Sequence, residues 1–177
     1  LRLVLRGAGN PLTHGARVRV DSAQFSAASG DAGFGSGGGP NGAQRFIMGY
    51  TGRQDYTDSS GNTWRPGTEF VTRVGFGGDT VSRTWWQHRR SMYIGGTPDE
   101  EIYRYGVHAP EFWVNVTVAP GEYQVRLHWA DTPETPWVER EGKWEPVSRP
   151  TTVAINGQVV VENLNVRKEV GTFRAYV

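Results

Sequence analysis

Three acidic pairs lie close enough in the chain for acid–base chemistry: Glu100 with Glu101, Asp131 with Glu134, and Glu139 with Glu141. Two carboxyls about 5 Å apart across a scissile bond would make a retaining glycosidase. Glu139 and Glu141 fit a solvated hairpin edge better, and no G-x-S-x-G nucleophile elbow is present. The run TWWQHRR at 84–90, preceded by Arg83, mixes base and aromatic as platforms for single-stranded nucleic acid do. A sugar acid would use the same groups, because arginine grips a carboxylate with two parallel bonds; exposed, Arg89 or Arg104 would hint at uronic acids. His14, His88, His108 and His128 are scattered without metal-ligand spacing. Asp55, Asp58 and Asn62 form an oxygen-rich turn that falls short of a calcium-binding loop. It leaves room for a structural Ca²⁺, and no other cofactor is expected. The glycine-rich stretch GFGSGGGPNG lacks the lysine and following helix of a phosphate cradle. Asn115-Val116-Thr117 matches a glycosylation sequon but falls in mid-strand.

Short elements with one wet face have to position these groups. Leu1, Leu3 and Leu5 alternate with charge, as do Val18 and Val20. The segments 44–50 and 68–75 read as strands, with the polar turn DYTDSSGNTW between them. Phe112, Val114, Val116 and Val118 share one phase. After Pro120-Gly121, Tyr123, Val125, Leu127 and Trp129 share another, which reads as a β-hairpin. Residues 131–150 form a long excursion in which VEREGKWEPV is a small hairpin of its own. Val153 and Ile155 lead through Asn156-Gly157, a strong hairpin turn, into Val159–Val161. No segment carries a helical period. The 24 glycines, 10 prolines and 21 aromatics agree with an all-β domain.

The chain has 177 residues, enough for one real core. Its 19 basic and 18 acidic residues leave a net charge of +1, giving no electrostatic case for nucleic acid or an anionic membrane. No apolar run approaches the length of a membrane helix, so membrane insertion is not expected. Cysteine is absent, which excludes disulfides and thiolate chemistry. Leu1 and Val177 both fall within apolar alternations, and a module of a larger polypeptide is expected.

Four stretches in one order, DYTDSSGNTW, IYRYG, PGEYQVRLHWAD and AINGQVVVENLNVRKEVG, together resemble the malectin and malectin-like carbohydrate-binding family. The family's "G-x-Y-x-V-x-L-x-F-A-E" strand is similar to GEYQVRLHWAD at Gly121–Asp131. Its "INGxxVxxxxDIxxxxG" is similar to Ile155–Gly171. The resemblance implies a two-sheet antiparallel, jelly-roll-like β-sandwich with long loops at one end. It divides the chain into a sandwich at 43–177, a Gly-rich linker or loop at 26–42, and strands at 1–25 that resemble the family's closing strands. Either the domain is permuted, or residues 1–25 close a preceding copy in a tandem array. A sheet lacking its closing strand leaves an unpaired apolar edge, and the first strand is expected to cover it within one body.

The same resemblance implies a non-catalytic module that binds oligo- or polysaccharide. Apolar pyranose faces stack on aromatic rings, and sugar hydroxyls bond to polar side chains on the loops. Tyr105 matches the family's Arg-Tyr and is expected to stack, with Arg104 beside it. Asp131 is expected to bond sugar hydroxyls, and the loop after it departs from the family, with Pro133 and Glu134 where two aromatics belong; Trp137 and Trp144 are the replacements. Asn10 sits near the family's late acid position. One of the adjacent Trp85 and Trp86 points away from the core, toward the site or an interface. Trp64, Trp129 and Tyr103 read as core. The parent is expected to be a secreted or surface protein, bacterial and extracellular, with neighbouring domains or identical subunits as partners. The alternative is a structural module of a surface assembly or filament.

Overall fold

A strand with alternating apolar and polar residues must lay one face on something dry, and two such sheets satisfy each other by stacking. The computed structural model describes residues 2–7, 18–20, 22–27, 43–50, 52, 54–67, 71–73, 92–109, 111–116, 122–132, 137–146 and 150–177. They form an all-β sandwich of two sheets with small additions.

The first sheet is built from β1 (Arg2–Gly7), β7 (Val71–Arg73), β9 (Glu111–Asn115), β13 (Thr151–Ile155) and β14 (Gln158–Leu164), in the order β14-β13-β1-β9-β7. The second contains β3 (Ser22–Ala27), β4 (Gln44–Ile47), β5 (Tyr56–Thr57), β6 (Thr63–Pro66), β10 (Tyr123–Ala130) and β15 (Ala175–Tyr176), in the order β15-β10-β3-β4-β6-β5. Pairing in both is antiparallel except between β4 and β6. Gly67 follows β6 where a Cβ would lie 2.7 Å from the Cβ of Phe46, so only glycine allows that close approach. Two further pairs stand apart: β2 (Val18–Val20) with β8 (Val107–Ala109), and β11 (Trp137–Arg140) with β12 (Lys143–Pro146).

The place of β1 bears on the expected closing strand. It lies in the middle of its sheet, with Leu3 opposite both Ile155 and Val114. The hairpin expected from 112–129 is not one. β9 pairs with β1 and β7, β10 pairs with β3 and β15, and the two strands lie in different sheets. Alternation reports a single buried face, and two strands facing each other across a sandwich share that signature with two neighbours in a sheet. Ser26 and Ala27 belong to β3 rather than to the Gly-rich segment, whose residues 28–42 lie outside the described residues. Both smaller hairpins form at the expected turns. Glu141-Gly142 and Asn156-Gly157 all take positive φ, the backbone of the tight turn that matches strand twist.

Two short helices break the all-strand expectation: α1 (Glu101–Arg104) and α2 (Val166–Val170). The Asn165 side chain caps α2 by accepting from the Lys168 N–H, and Gly171 ends it at φ 83°. Between the sheets lies an apolar core of Ala23, Phe46, Met48, Val114, Val116, Leu127, Trp129, Val153 and Val166. A second cluster covers the outer face of the six-stranded sheet: Ile47, Trp64, Ile94, Ile102, Tyr103, Tyr105 and Ala130. Trp64, Trp129 and Tyr103 are thus buried, as expected of core residues. The first half of β10 alternates in burial, while Leu127, His128, Trp129 and Ala130 are all buried, because α1 and its neighbours cover the far side there.

Candidate functional site

The end of the sandwich bearing α1 gathers most of the described tyrosines. Tyr50 follows β4, Tyr56 opens β5, Tyr93 precedes α1 and Tyr105 ends it. The Tyr50 and Tyr105 rings meet edge to face, with centroids 4.9 Å apart. Gly52 lies so close that a Cβ there would stand 2.4 Å from the Tyr50 ring. Tyr93 is 73 % exposed, while its neighbour Ile94 is fully buried.

Carboxylates tie these segments together. The Asp99 carboxylate accepts from the Ser59 N–H at 2.7 Å, the Ser59 hydroxyl at 2.8 Å and the Tyr56 hydroxyl at 3.3 Å. Burial, then the Asp99 charge, pushes the Tyr56 phenol up to about 12. Glu100 accepts from the Ile94 N–H at 3.0 Å and from Arg104 Nη2 at 2.8 Å. Glu101 accepts from the Tyr105 hydroxyl at 2.9 Å, and Arg104 Nε donates to the Met92 carbonyl at 3.2 Å. The C-terminal segment is stitched on by backbone bonds, Gly95 N–H to Phe173 O at 2.8 Å and Phe173 N–H to Asp131 O at 2.8 Å. The loop carrying Tyr93 is therefore held from both sides, which presents an aromatic face to water at small entropic cost.

Of the residues expected at a site, Arg104, Tyr105 and Asp131 come to this one end. Each is engaged with the protein itself. Tyr105 is only 5 % exposed, with its ring against Tyr50 and its hydroxyl on Glu101, so it presents no open stacking face. The Arg104 guanidinium sits between Glu100 and Glu101, which removes the hint of uronic-acid pairing there. Asp131 pairs with Arg167 of α2 and fixes the end of β10. Trp137 lies opposite Pro146 and Trp144 opposite Glu139 in the β11–β12 hairpin. Asn10, Trp85 and Trp86 lie outside the described residues, as do Arg83, His88, Arg89 and Arg90. Glu100 and Glu101 spend their oxygens on local donors and do not form an open acid pair.

The oxygen-rich turn is closed on itself. The Asp58 carboxylate accepts from the N–H groups of Ser60 and Asn62, the Asn62 amide and Trp64 Nε1. These bonds hold its pKa low against the burial that pushes it up. Among the described residues no three His, Asp or Glu side chains converge as a metal site requires. Sequence reasoning passed over Tyr93. The signal was there: Ile94 is apolar and precedes a glycine pair, so its neighbour in an extended segment must point the other way.

A family model for the malectin domain matches residues 48–177. No curated protein and no solved structure matches the chain.

Proposed function

The chain belongs to the malectin domain family, and on that premise we propose that it is a non-catalytic module that binds glycan chains at the end of the sandwich bearing α1. The observation that carries this reading is Tyr93: a large aromatic left 73 % exposed on a loop anchored to Phe173 and α1. An exposed ring on a fixed loop suits the apolar face of a pyranose, and the amphipathic tyrosine rim suits its hydroxyls. Trp137 and Trp144, on their own hairpin, are the next candidates for contact, followed by Trp85, Trp86 and Asn10. Binding at one such site is weak, and repetition or tethering within a larger secreted or surface protein would raise it.

The test is a calorimetric and fluorescence titration against α- and β-glucans, galactans and uronans. Tyr93→Ala is expected to weaken binding about tenfold or more while leaving the melting temperature unchanged. Saturable binding to none of the panel would sink the reading.

One feature favours a second reading, that of a module assembling with copies of itself. A cavity of about 380 Å³ opens between the sheets beside edge strand β14, lined by Val125, Leu127, Trp129, Val153, Ile155 and Val161 among others. Val159 and Val160 on that edge are about half exposed, and an edge strand that carries exposed apolar residues can pair with another strand. A concentration-dependent dimer in light scattering, lost in Val160→Lys, would favour assembly.

A further inference from the structure

The outer face of the six-stranded sheet carries buried polar groups that the tyrosine-rich end does not use. Cross-strand register places them. His128 of β10 lies opposite Ser22 of β3, which lies opposite Ile47 of β4. In the next row Arg126 lies opposite Gln24, which lies opposite Arg45. Directly opposed residues share a face with Cβ atoms about 5 Å apart, and diagonal ones are about 7–8 Å apart. Ser22 is therefore the neighbour of both His128, directly opposite it on one side, and Arg45, diagonal to it on the other. All three are more than nine-tenths buried, with exposures of 0 %, 6 % and 9 %. Ser22 Oγ, Arg45 Nε, Arg45 Nη1 and His128 Nε2 are enclosed, yet among the described residues none of them has a hydrogen-bond partner.

All of these groups can donate, and the Gln24 side chain, set opposite Arg45 in register, bonds to none of the four atoms. The Tyr103 hydroxyl meets His128 Nδ1 at 3.1 Å, and with the hydroxyl donating, the ring proton sits on Nε2. The ring is held neutral, its pKa lowered to about 4 by burial first and by Arg126 second. Asp58 is the nearby acid that acts on Arg45, but its oxygens are already taken by Ser60, Asn62 and Trp64. Burial and Arg126 push the Arg45 pKa down, as expected for a cation short of compensation. A buried guanidinium with idle N–H groups is costly, and a partner of opposite charge removes that cost.

We propose that this face is an anion site, in which one carboxylate accepts from the Arg45 guanidinium while Ser22 and His128 donate from the flank. The planar fork of Nε and a terminal nitrogen matches the two oxygens of a carboxylate. The site lies on the sheet face rather than at the tyrosine-rich end and does not depend on the sugar-binding reading. The carboxylate comes either from a small free acid or from a uronate residue of a glycan.

The experiment is thermal unfolding of the intact chain in rising sodium acetate, sodium glucuronate or glucose at fixed ionic strength. Acetate is expected to raise the wild-type melting temperature saturably by about 3 °C, and Arg45→Met is expected to lose that dependence. Ser22→Ala is expected to keep the fold and need about threefold more acetate for the same rise. Should Arg45→Met fail to fold, the Ser22→Ala shift carries the test. Glucuronate acting like acetate, with glucose inert, assigns the site to sugar acids; glucuronate without effect assigns it to small free carboxylates. The proposal is overturned if wild type shows no rise, if Arg45→Met rises equally, or if Ser22→Ala leaves half-saturation unchanged.

Discussion

The two faces of the six-stranded sheet solve burial in opposite ways. Toward the other sheet, Leu127, Ala23 and Phe46 oppose one another in a single row, all apolar and all buried. On the outer face the neighbouring rows read His128-Ser22-Ile47 and Arg126-Gln24-Arg45, and the covering cluster brings hydroxyls and an indole with it. His128 meets the edge of Trp64, with ring centroids 5.3 Å apart, and the hydroxyl of Tyr103. The inner face gains from area and packing density alone, so shape decides its energetics. The outer face is held by directed bonds, so protonation and partner atoms decide there. The same β10 serves both because successive side chains point to opposite sides.

The largest effect that separates the faces is expected from volume. Phe46 is fully buried, and Phe46→Ala should destabilise the domain by about 3–5 kcal/mol in urea unfolding, with little dependence on pH. A loss below about 1 kcal/mol would mean that Phe46 is not held by packing in the inner core. Next in size is the titration of His128. Its folded pKa is lowered to about 4 from 6.5, so between those values the unfolded chain binds a proton that the folded chain refuses. Stability is complete above pH 6.5 and falls as the pH drops toward 4, by about 3 kcal/mol in all. His128→Gln should flatten that slope, whereas Phe46→Ala should keep it.

Much of this contrast was legible in the chain, and the missing parts have physical reasons. The alternation in Tyr123–Trp129 and the glycine turns at 141–142 and 156–157 announce strands and hairpins, because period and turn chemistry are local. The phase of Trp129 gave its burial for the same reason. Partnering of strands is not local. That β9 and β10 lie in different sheets, and that β1 stands mid-sheet, depends on which strand completes which layer. The helices α1 and α2 span four and five residues, too few for a helical period to show. The resemblance singled out Tyr105 but carried no information about exposure. The Tyr50 ring and Glu101 decide that, one from a segment far off in sequence and the other from one turn away.

A smaller effect tests the directed bonds of the outer face. Asp58 closes its turn through Ser60 and Asn62 and reaches the indole of Trp64. Asp58→Ala should cost about 1–2 kcal/mol in thermal or urea unfolding. Asp58→Asn, which keeps one acceptor, should recover part of it. Equal losses for both would mean that charge rather than hydrogen bonding holds the turn.

The smallest effect on stability is expected where the outer cluster ends in water. Tyr93 leans over Gly95, with its Cε1 3.4 Å from where a Cβ would stand, and most of its ring is open. Its removal takes little from either core, so Tyr93→Ala should change stability by less than about 0.5 kcal/mol. Ile94, the next residue, is fully enclosed, and Ile94→Ala should cost about 2–5 kcal/mol. One position along the same loop thus separates a residue that holds the fold from one free to meet a ligand. A Tyr93→Ala variant that melts like Ile94→Ala would show the ring to be a structural cover, and binding at this end would then need another aromatic.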